Sequence, residues 1–273
     1  MIKLSKRQLL CFLRKCYVLK LKIISYNVLC YGRDGFFWTG RKDMVTGILN
    51  REHPDSFGLQ ESHYDWMKAV CAAMPDYAYV GAGRDDGKKD GEFSPVFYLK
   101  DKFELLDSGT FWLSETPDVV SRGWDGVCRR VCSWAKLKSK EDGTVYVHMN
   151  THLDHRGPEA RTKGLAQLLS FAEKFSEPVV LTGDFNFEEG CELYKQMTSG
   201  FLKDSKYAAK ERLSDGVTFT GFYPVIKDND PPQIIDYINV SDGVMVDTYR
   251  VIDERPDGKF PSDHYPVVAE IEI

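Results

Sequence analysis

The chain has 273 residues, of which 42% are hydrophobic and 28% are charged. This length and composition exclude an intrinsically disordered chain and provide enough apolar side chains for one large domain with a buried core. The formal net charge of −5 argues against a protein whose main task is to grip a long nucleic-acid backbone, because such proteins usually carry a basic surplus. It does not argue against an enzyme, since a metal and a few local basic side chains can hold one phosphate.

The first segment in chain order is a basic N-terminal extension, residues 1–18, which we expect to be disordered or helical. Arg14 and Lys15 interrupt its apolar stretch, which is shorter than the apolar region of about 7 to 15 residues that an export signal needs. The same charges exclude a membrane span there. Seven cysteines at irregular spacing predict reduced thiols. We therefore expect a cytoplasmic protein without stable membrane insertion, with residues 19–273 forming a single domain.

The rest of the chain is predicted to contain many strands and few helices. Alternation of apolar and polar residues predicts a strand over residues 19–25, and an amphipathic helix follows over 41–51. A short apolar run covers 56–60, and further helices are predicted over 64–73 and 159–175. Additional strands are predicted over 94–99, 102–111, 130–138, 144–151, 179–182, 234–240, 243–252 and 265–271.

This pattern favours two packed sheets with helices on the outside, because strands greatly outnumber helices and do not alternate with them regularly. The fold class is thus α/β, in the α+β sense. Two segments rich in glycine, proline and charge, 81–91 and 227–232, are predicted to be solvated loops between strands.

Polar residues that do not suit a core follow the apolar strands at six places, where an α/β enzyme places its site. One such strand end would be ordinary turn chemistry. Six of them, each with a carboxylate, an amide or an imidazole, are not explained by core packing. These strand ends carry Asn27, Glu61, His152 with Asp154 and His155, Asp184 with Asn186, Asp236, and Asp263 with His264.

The residue types at these strand ends indicate a metal-dependent chemistry. Carboxylate and amide oxygens are hard ligands that suit Mg²⁺ or Mn²⁺, whereas the cysteines show no soft-metal arrangement. Because Mg²⁺ usually takes one or two protein carboxylates and leaves other positions to water and phosphate, Asn27, Glu61 and Asp263 would suffice as ligands. The other polar groups are then free to hydrolyse a phosphate ester.

In their order along the chain, the six segments resemble the endonuclease/exonuclease/phosphatase superfamily, which has the DNase-I-like fold. The resemblance extends from Leu21 to Ile271. The stretches 110–117 (TFWLSETP), 130–135 (RVCSWA) and the run NTHLDHRGPEAR ending at Arg161 look like a bacterial branch of this superfamily. The resemblance implies a four-layer sandwich, in which two packed mixed β-sheets are flanked by helices and the site lies at one rim of the sheets.

The resemblance also implies roles for individual residues. Glu61 would be the principal metal ligand, and Asn27 and Asp263 would support it directly or through water. Asp184 would orient or deprotonate the attacking water, while Asn186 would hold that water or a phosphate oxygen.

The histidines complete this implied machinery. His152 and His264 would donate to the phosphate as its charge develops, and Asp236 would fix and charge His264 through a hydrogen bond. The sequence leaves open whether Asp184 or His264 is the base, and whether one or two metals take part.

Four further residues are weaker candidates for substrate binding. Arg130 suits bidentate binding of two phosphate oxygens. Tyr98 is equally well explained as a core residue. Asp154 and His155 either line the site or hold its loop.

The predicted function is therefore a Mg²⁺-dependent phosphoesterase that hydrolyses a phosphodiester, in the manner of a nuclease, by in-line attack of water. The alternative is a phosphomonoesterase acting on a sugar, inositol or lipid head-group phosphate. A non-catalytic binding module is disfavoured, since a decayed enzyme would lose at least one of Glu61, Asp184, Asp263 and His264. The predicted partner is a phosphate-ester substrate, nucleic acid included, and no obligate protein partner is evident.

Overall fold

The computed structural model describes residues 18–31, 37–221 and 233–273. The strands in these ranges are β1 Lys20–Asn27, β2 Ser56–Gln60, β3 Tyr77–Val80, β4 Val96–Leu99, β5 Phe103–Trp112, β6 Val131–Ser139, β7 Val145–His152, β8 Val179–Asp184, β9 Leu202–Asp204, β10 Ala209–Arg212, β11 Asp236–Ser241, β12 Met245–Val251 and β13 Val267–Glu272. The helices are α1 Trp38–Glu52, α2 Tyr64–Ala73, α3 Pro158–Ala172, α4 Glu192–Thr198 and α5 Ser205–Ala208, with a 3₁₀ turn at Pro256–Gly258.

The strands form two mixed sheets. The first sheet has the order β10-β12-β13-β1-β2-β4-β3, and the second has the order β5-β6-β7-β8-β11-β9. β1 and β2 run parallel in the first sheet, as do β7 and β8 in the second, so each of these pairs ends at the same edge of its sheet.

Alternation of side chains along the strands creates three apolar layers. On β1, Ile23 packs between the two sheets, whereas Ile24 packs on the outer face against α1 and α2. The outer face of the second sheet packs against α3 and α4 through Leu165 and Met197, among others. Each such buried side chain stabilises the fold by about 1.5–3 kcal/mol. The layers are helices, sheet, sheet and helices, which confirms the predicted four-layer sandwich.

Local sequence signals explain where the helices begin and end. α1 ends at His53, whose left-handed backbone (φ 46°) precedes Pro54, a residue that cannot continue a helix. The His63 side chain caps α2 by accepting a hydrogen bond from the Trp66 amide at 3.2 Å. Pro158 occupies the first turn of α3, where its missing N–H costs nothing.

A polar cluster lies in the centre of the otherwise apolar layer between the sheets. We call Ser56, Tyr146, His148, Asn150 and Thr182 the central polar cluster. Ser56 Oγ lies 3.0 Å from Tyr146 Oη and 2.9 Å from His148 Nδ1. Thr182 Oγ1 lies 3.0 Å from His148 Nε2 and donates to Asn150 Oδ1 at 2.9 Å. These bonds join both sheets through buried side chains.

Gly58 allows the two sheets to approach at this cluster. A Cβ atom at this position would lie 2.3 Å from Asn150 Oδ1 and 2.4 Å from Thr182 Oγ1, so any side chain would separate the sheets. The Asn150 side chain reaches across instead and donates to the Leu59 and Pro95 carbonyls at 2.7 and 2.9 Å.

The segment 81–91 is a loop between β3 and β4, as predicted, and its residues Asp86, Lys88, Lys89 and Asp90 are exposed. Backbone hydrogen bonds from the Gly83 amide to the Lys88 carbonyl and from the Arg84 amide to the Glu92 carbonyl fold it into a compact turn. Of the other predicted segments, 227–232 and residues 1–17 lie outside the described residues. None of the described helices is both long and apolar enough to span a bilayer.

Candidate active site

Strand register brings the predicted site residues together at one rim of the sandwich. Asn27, at the end of β1, lies opposite Gln60, which immediately precedes Glu61. In the second sheet, Asp184 lies opposite both His152, at the end of β7, and Asp236, at the start of β11. The carboxyl ends of the parallel strands are where such sheets place ligands.

A cavity of about 370 Å³, which we call the rim cavity, opens at these strand ends. It is lined by eight of the residues predicted from the sequence, with side chains from both sheets. They are Glu61, Arg130, His152, His155, Asp184, Asn186, Asp263 and His264.

Asn27 joins the two sheets below the rim cavity. Its Nδ2 donates to Glu61 Oε1 at 3.1 Å and to Asp184 Oδ2 at 2.9 Å. Its Oδ1 accepts a hydrogen bond from the Leu29 amide at 3.0 Å. The amide oxygen that was predicted to bind a metal is therefore engaged by the backbone, and in this arrangement Asn27 orients the two carboxylates.

Glu61 is held in a charged form although it is half-buried. Burial favours the neutral acid, but the Cys30 amide at 3.1 Å, the positive charge of His264 and the Asn27 amide together lower the Glu61 pKa. The backbone of Glu61 is left-handed, with φ 59°. This uncommon conformation turns the side chain from the end of β2 into the rim cavity.

Asp184 lies at the centre of the polar groups. Its Oδ2 lies 3.3 Å from His152 Nε2 and 3.7 Å from His264 Nε2, and its Oδ1 accepts from the Asn186 amide at 3.0 Å. Burial and the nearby charge of Asp236 raise the pKa of Asp184 to about 7. Asn186 is also left-handed (φ 51°), and its Nδ2 donates to the Leu153 carbonyl at 3.0 Å.

The two histidines of the rim cavity have opposite electrostatic surroundings. His264 Nδ1 lies 2.8 Å from Asp236 Oδ2; burial opposes a positive charge on this ring, but Asp236 and the other carboxylates raise its pKa to about 10. Burial and the charge of Arg130 instead hold the pKa of His152 well below its usual range. His264 is thus an imidazolium and His152 a neutral imidazole.

Arg130 forms long ion pairs with Glu92 (4.0 Å) and Asp154 (3.9 Å), yet two of its donors make no hydrogen bond to the described residues. Its side chain is only 6% exposed, and its Nη2 lies 3.2 Å from His155 Nδ1. Within the described part of the chain, Arg130 Nε and Nη1 have no hydrogen-bond partner. Buried donors of this kind are normally satisfied, so they favour a ligand with acceptor oxygens.

Two charged lining residues, Arg84 and Glu92, were not predicted from the sequence. Arg84 lies in the turn 81–91 and forms an ion pair with Glu92, with Nη2 3.0 Å from Oε1. Burial raises the pKa of Glu92, and the charge of Glu61 adds to this effect. The only sequence signal was the charge density of the segment, which is equally typical of a solvated loop.

Four predicted residues do not line the rim cavity: Asn27 and Asp236, which hold its lining side chains from below, and Asp154 and Tyr98. Asp154 accepts hydrogen bonds from the Val127 and Cys128 amides with Oδ2 and from the Arg156 and Gly157 amides with Oδ1, so it holds the surrounding loops. Tyr98 lies on β4 among the apolar residues packed between the sheets.

Several groups at the rim could hold a metal ion. Donor atoms of Cys30, Glu61 and Glu92 lie within 4.8 Å of one another, as do those of Asp184, Asp236 and His264. Burial and the negative charge of Glu61 raise the Cys30 pKa, so this thiol is a poor ligand and oxygen donors predominate. Such a set suits a hard cation such as Mg²⁺ or Mn²⁺.

The family model for the endonuclease/exonuclease/phosphatase family matches residues 24–264, which include every strand end at this rim. The chain belongs to this family. The family's enzymes hydrolyse phosphoester bonds and use divalent metals. Membership confirms the superfamily and the DNase-I-like fold predicted from the six strand ends.

Endonuclease/exonuclease/phosphatase proteins of known structure resemble this chain closely. A family protein from Bacteroides thetaiotaomicron is 35% identical with a TM-score of 0.88, over 94% of this chain and 99% of that one. A mannosyl-6-phosphatase from the same organism is also 35% identical, with a TM-score of 0.86 over 92% of this chain and 99% of that one.

A more distant relative in the family is a nuclease. The 3′–5′ exoribonuclease subunit Ccr4 of the Kluyveromyces lactis CCR4-Not complex is 24% identical over 92% of this chain. The match covers only 41% of Ccr4, so this chain spans less than half the length of that relative.

Proposed function

We propose that this chain is a Mg²⁺-dependent phosphoesterase whose working site is the rim cavity, with Mn²⁺ able to substitute. The convergence of Glu61, Asp184, Asp263 and His264 on one cavity carries the proposal. These residues are far apart in the sequence, so core packing alone does not explain why their side chains meet. A hydrolytic site needs this combination of acids and proton donors around one phosphate.

The residues present fit a divalent cation. Glu61 and Asp263 would hold it, because both carboxylates line the cavity and each Glu61 oxygen accepts only one hydrogen bond from the described residues. When bound, the cation supplies charge to neutralise the phosphate oxygens. Asn27 would support this site indirectly, by orienting Glu61.

The other side chains would position water and donate protons. Asp184 would accept a hydrogen bond from the attacking water, with Asn186 at its side. Asp236 occupies His264 Nδ1, which leaves Nε2 as the atom able to donate toward a phosphate oxygen. His152 would donate to another oxygen, and Arg130, with His155 beside it, would bind the phosphate through the N–H groups that make no hydrogen bond to the described residues.

Among phosphate esters, a sugar phosphomonoester is the best-supported substrate. A phosphomonoester carries one more negative charge than a diester near neutral pH, and the divalent cation together with Arg130 and His264 would offset that charge. The similarity to a mannosyl-6-phosphatase supports the same choice. A phosphodiester, which the sequence favoured first, is the second candidate because of the Ccr4 relative.

The test is a substrate panel with the purified full chain. It should contain p-nitrophenyl phosphate, hexose 6-phosphates, bis(p-nitrophenyl) phosphate, single-stranded DNA and RNA, each with Mg²⁺, Mn²⁺ or EDTA. We expect faster hydrolysis of the monoesters, loss of activity in EDTA and recovery with excess Mg²⁺. Full activity in EDTA would exclude the metal, faster diester cleavage would favour the nuclease, and absence of hydrolysis throughout would remove the proposed function.

A further inference from the structure

A second cavity, of about 640 Å³, adjoins the rim cavity, and the site described above assigns no role to it. We call it the side cavity. Asn186, Phe219 and Ile235 line both cavities and form their common boundary. The Phe219 ring lies 4.8 Å from the ring of His264. A group esterified to a phosphate in the rim cavity can therefore extend past Phe219 into the side cavity.

One wall of the side cavity is apolar and firmly packed. Phe187 is 7% exposed, and its ring lies 5.6 Å from that of Phe185 and 5.9 Å from that of Tyr237. Leu193 of α4 continues this wall. Apolar walls with a few placed polar groups are typical of small-molecule sites.

Most charged groups of the side cavity are already paired. Glu189 binds Lys206 at 3.0 Å, and Glu192 binds Lys195 at 2.6 Å. Arg161 also lines this cavity and donates through Nη1 to the Asp154 carbonyl at 2.9 Å.

Two polar side chains of the side cavity remain available. In the described ranges, neither the Glu188 carboxylate nor the Gln233 amide group has a side-chain hydrogen bond or ion pair. Together they offer acceptor oxygens and one N–H₂ donor beside the aromatic boundary.

We propose that the side cavity is the leaving-group subsite and that it selects an uncharged, hydroxyl-rich group such as a hexose. This inference rests on the proposed phosphoesterase function. The C–H face of a sugar ring can pack on Phe219 and Phe187, while its hydroxyl groups donate to Glu188 and exchange hydrogen bonds with Gln233. A leaving group with a second phosphate would instead be repelled by Glu188, the one carboxylate of this lining without an ion pair among the described residues.

The subsite therefore explains discrimination that the rim cavity cannot provide. Arg130 and His264 attract any phosphate, whether it belongs to a sugar, a bisphosphate or a nucleic acid. The Glu188 carboxylate adds a penalty for polyanions, and specificity often depends on such a repulsive element.

The experiment compares wild type with Glu188→Gln and Glu188→Lys, and uses Glu104→Lys as a matched control. Glu104 is an exposed carboxylate on β5 that lies outside both cavities. The substrates are glucose 6-phosphate, mannose 6-phosphate, fructose 1,6-bisphosphate and p-nitrophenyl phosphate. Thermal melting of each variant checks that it folds.

We expect wild type to prefer the hexose monophosphates over the bisphosphate in kcat/KM. Glu188→Gln should raise KM for the preferred hexose phosphate by roughly fivefold with kcat nearly unchanged, because one charged hydrogen-bond acceptor is lost. Glu188→Lys should shift the ratio of bisphosphate to monophosphate kcat/KM by about tenfold toward the bisphosphate. Glu104→Lys should leave this ratio at the wild-type value.

If Glu188→Lys and Glu104→Lys give the same ratio while aryl phosphate is still hydrolysed, the subsite assignment is wrong and the proposed function stands. A wild-type preference for the bisphosphate would also overturn the subsite. If wild type hydrolyses diesters but no monoester, the subsite is wrong and the nuclease alternative stands; if it hydrolyses neither, the proposed function is wrong as well.

Discussion

Two buried polar regions of this protein, the central polar cluster and the rim cavity, differ in how completely their hydrogen bonds are made. At the centre, Ser56, His148, Asn150 and Thr182 all bond to one another or to backbone carbonyls across the sheets. The side chains there satisfy one another without any ligand. A buried network of this kind rigidifies a core and fixes how its layers meet.

The rim, in contrast, leaves buried polar atoms without partners. Among the described residues these include Arg130 Nε and Nη1, His152 Nδ1 and Asp236 Oδ1. Each unsatisfied buried group costs about 1–3 kcal/mol, and at the rim several such groups surround one cavity, where a ligand can satisfy them. The comparison teaches that polar burial at the centre serves stability and polar burial at the rim serves binding.

The largest expected effect is a loss of activity from a substitution at the rim that does not lower stability. Asp184→Asn should lower kcat for the best phosphate ester by on the order of 10²–10⁴-fold, as loss of a general base does. The melting temperature should stay the same or rise, because the change removes a buried charge that Asp236 repels. Steady-state kinetics and thermal melting on the same preparation check both expectations. A loss of activity below about threefold would show that Asp184 is not in the working site.

The central polar cluster should respond in the opposite way. Asn150→Ala removes the donors to the Leu59 and Pro95 carbonyls and should lower the free energy of unfolding by about 3 kcal/mol. Denaturant unfolding measures this loss. The control is Asn50→Ala at an exposed position, which should cost less than about 0.5 kcal/mol. Equal costs at both positions would contradict the stabilising role of the centre.

The pH dependence of stability tests whether the central polar cluster is held together by a neutral histidine, His148. Burial lowers the pKa of His148 to about 3, whereas the unfolded chain has a histidine pKa of about 6.5. The unfolded state therefore binds the proton more readily, and stability is lost as the pH falls below about 6.5. Between pH 7 and pH 5 wild type should lose about 2 kcal/mol more than His148→Gln in urea unfolding. Parallel losses in the two proteins would mean that His148 is not held neutral.

The smallest expected loss of stability is at the rim. Arg130→Met should lower the free energy of unfolding by about 1–2 kcal/mol, because its ion pairs with Glu92 and Asp154 are long, at 4.0 and 3.9 Å, and neither includes a hydrogen bond. The same variant should raise KM for a phosphomonoester by about tenfold, since a charged phosphate contact is removed. A large loss of stability with an unchanged KM would place Arg130 with the structural groups of the centre.

The parts of the site that were predictable from the sequence are those carried by strand ends. Asn27, Glu61 and Asp184 directly end or follow apolar strands, and the register of parallel neighbours is enough to bring them to one rim. Each interrupts an apolar run with a side chain that no core would accept. The four-layer order was also predictable, because the alternation typical of strands and the periodicity typical of helices are both visible in the sequence.

Other parts had no sequence signal. Arg84 reaches the rim because backbone hydrogen bonds fold the turn 81–91, and its glycines and charges look the same in a solvated loop. Tyr98 lies in a run of four apolar residues. Because apolar and polar residues do not alternate in this run, the sequence does not indicate which of its side chains face the other sheet. The elements between residues 192 and 212 are too short for periodicity to detect. The N-terminal extension and the single-domain assignment of residues 19–273 stay predictions.

The left-handed backbone at Glu61 and Asn186 has a consequence for the evolution of this protein. A glutamate in that conformation costs on the order of 1 kcal/mol relative to glycine, and asparagine costs less. Selection for thermal tolerance alone would thus replace Glu61 first. A laboratory library screened only for heat resistance should accumulate Gly or Asn at position 61, and the resulting proteins would be robust but inert.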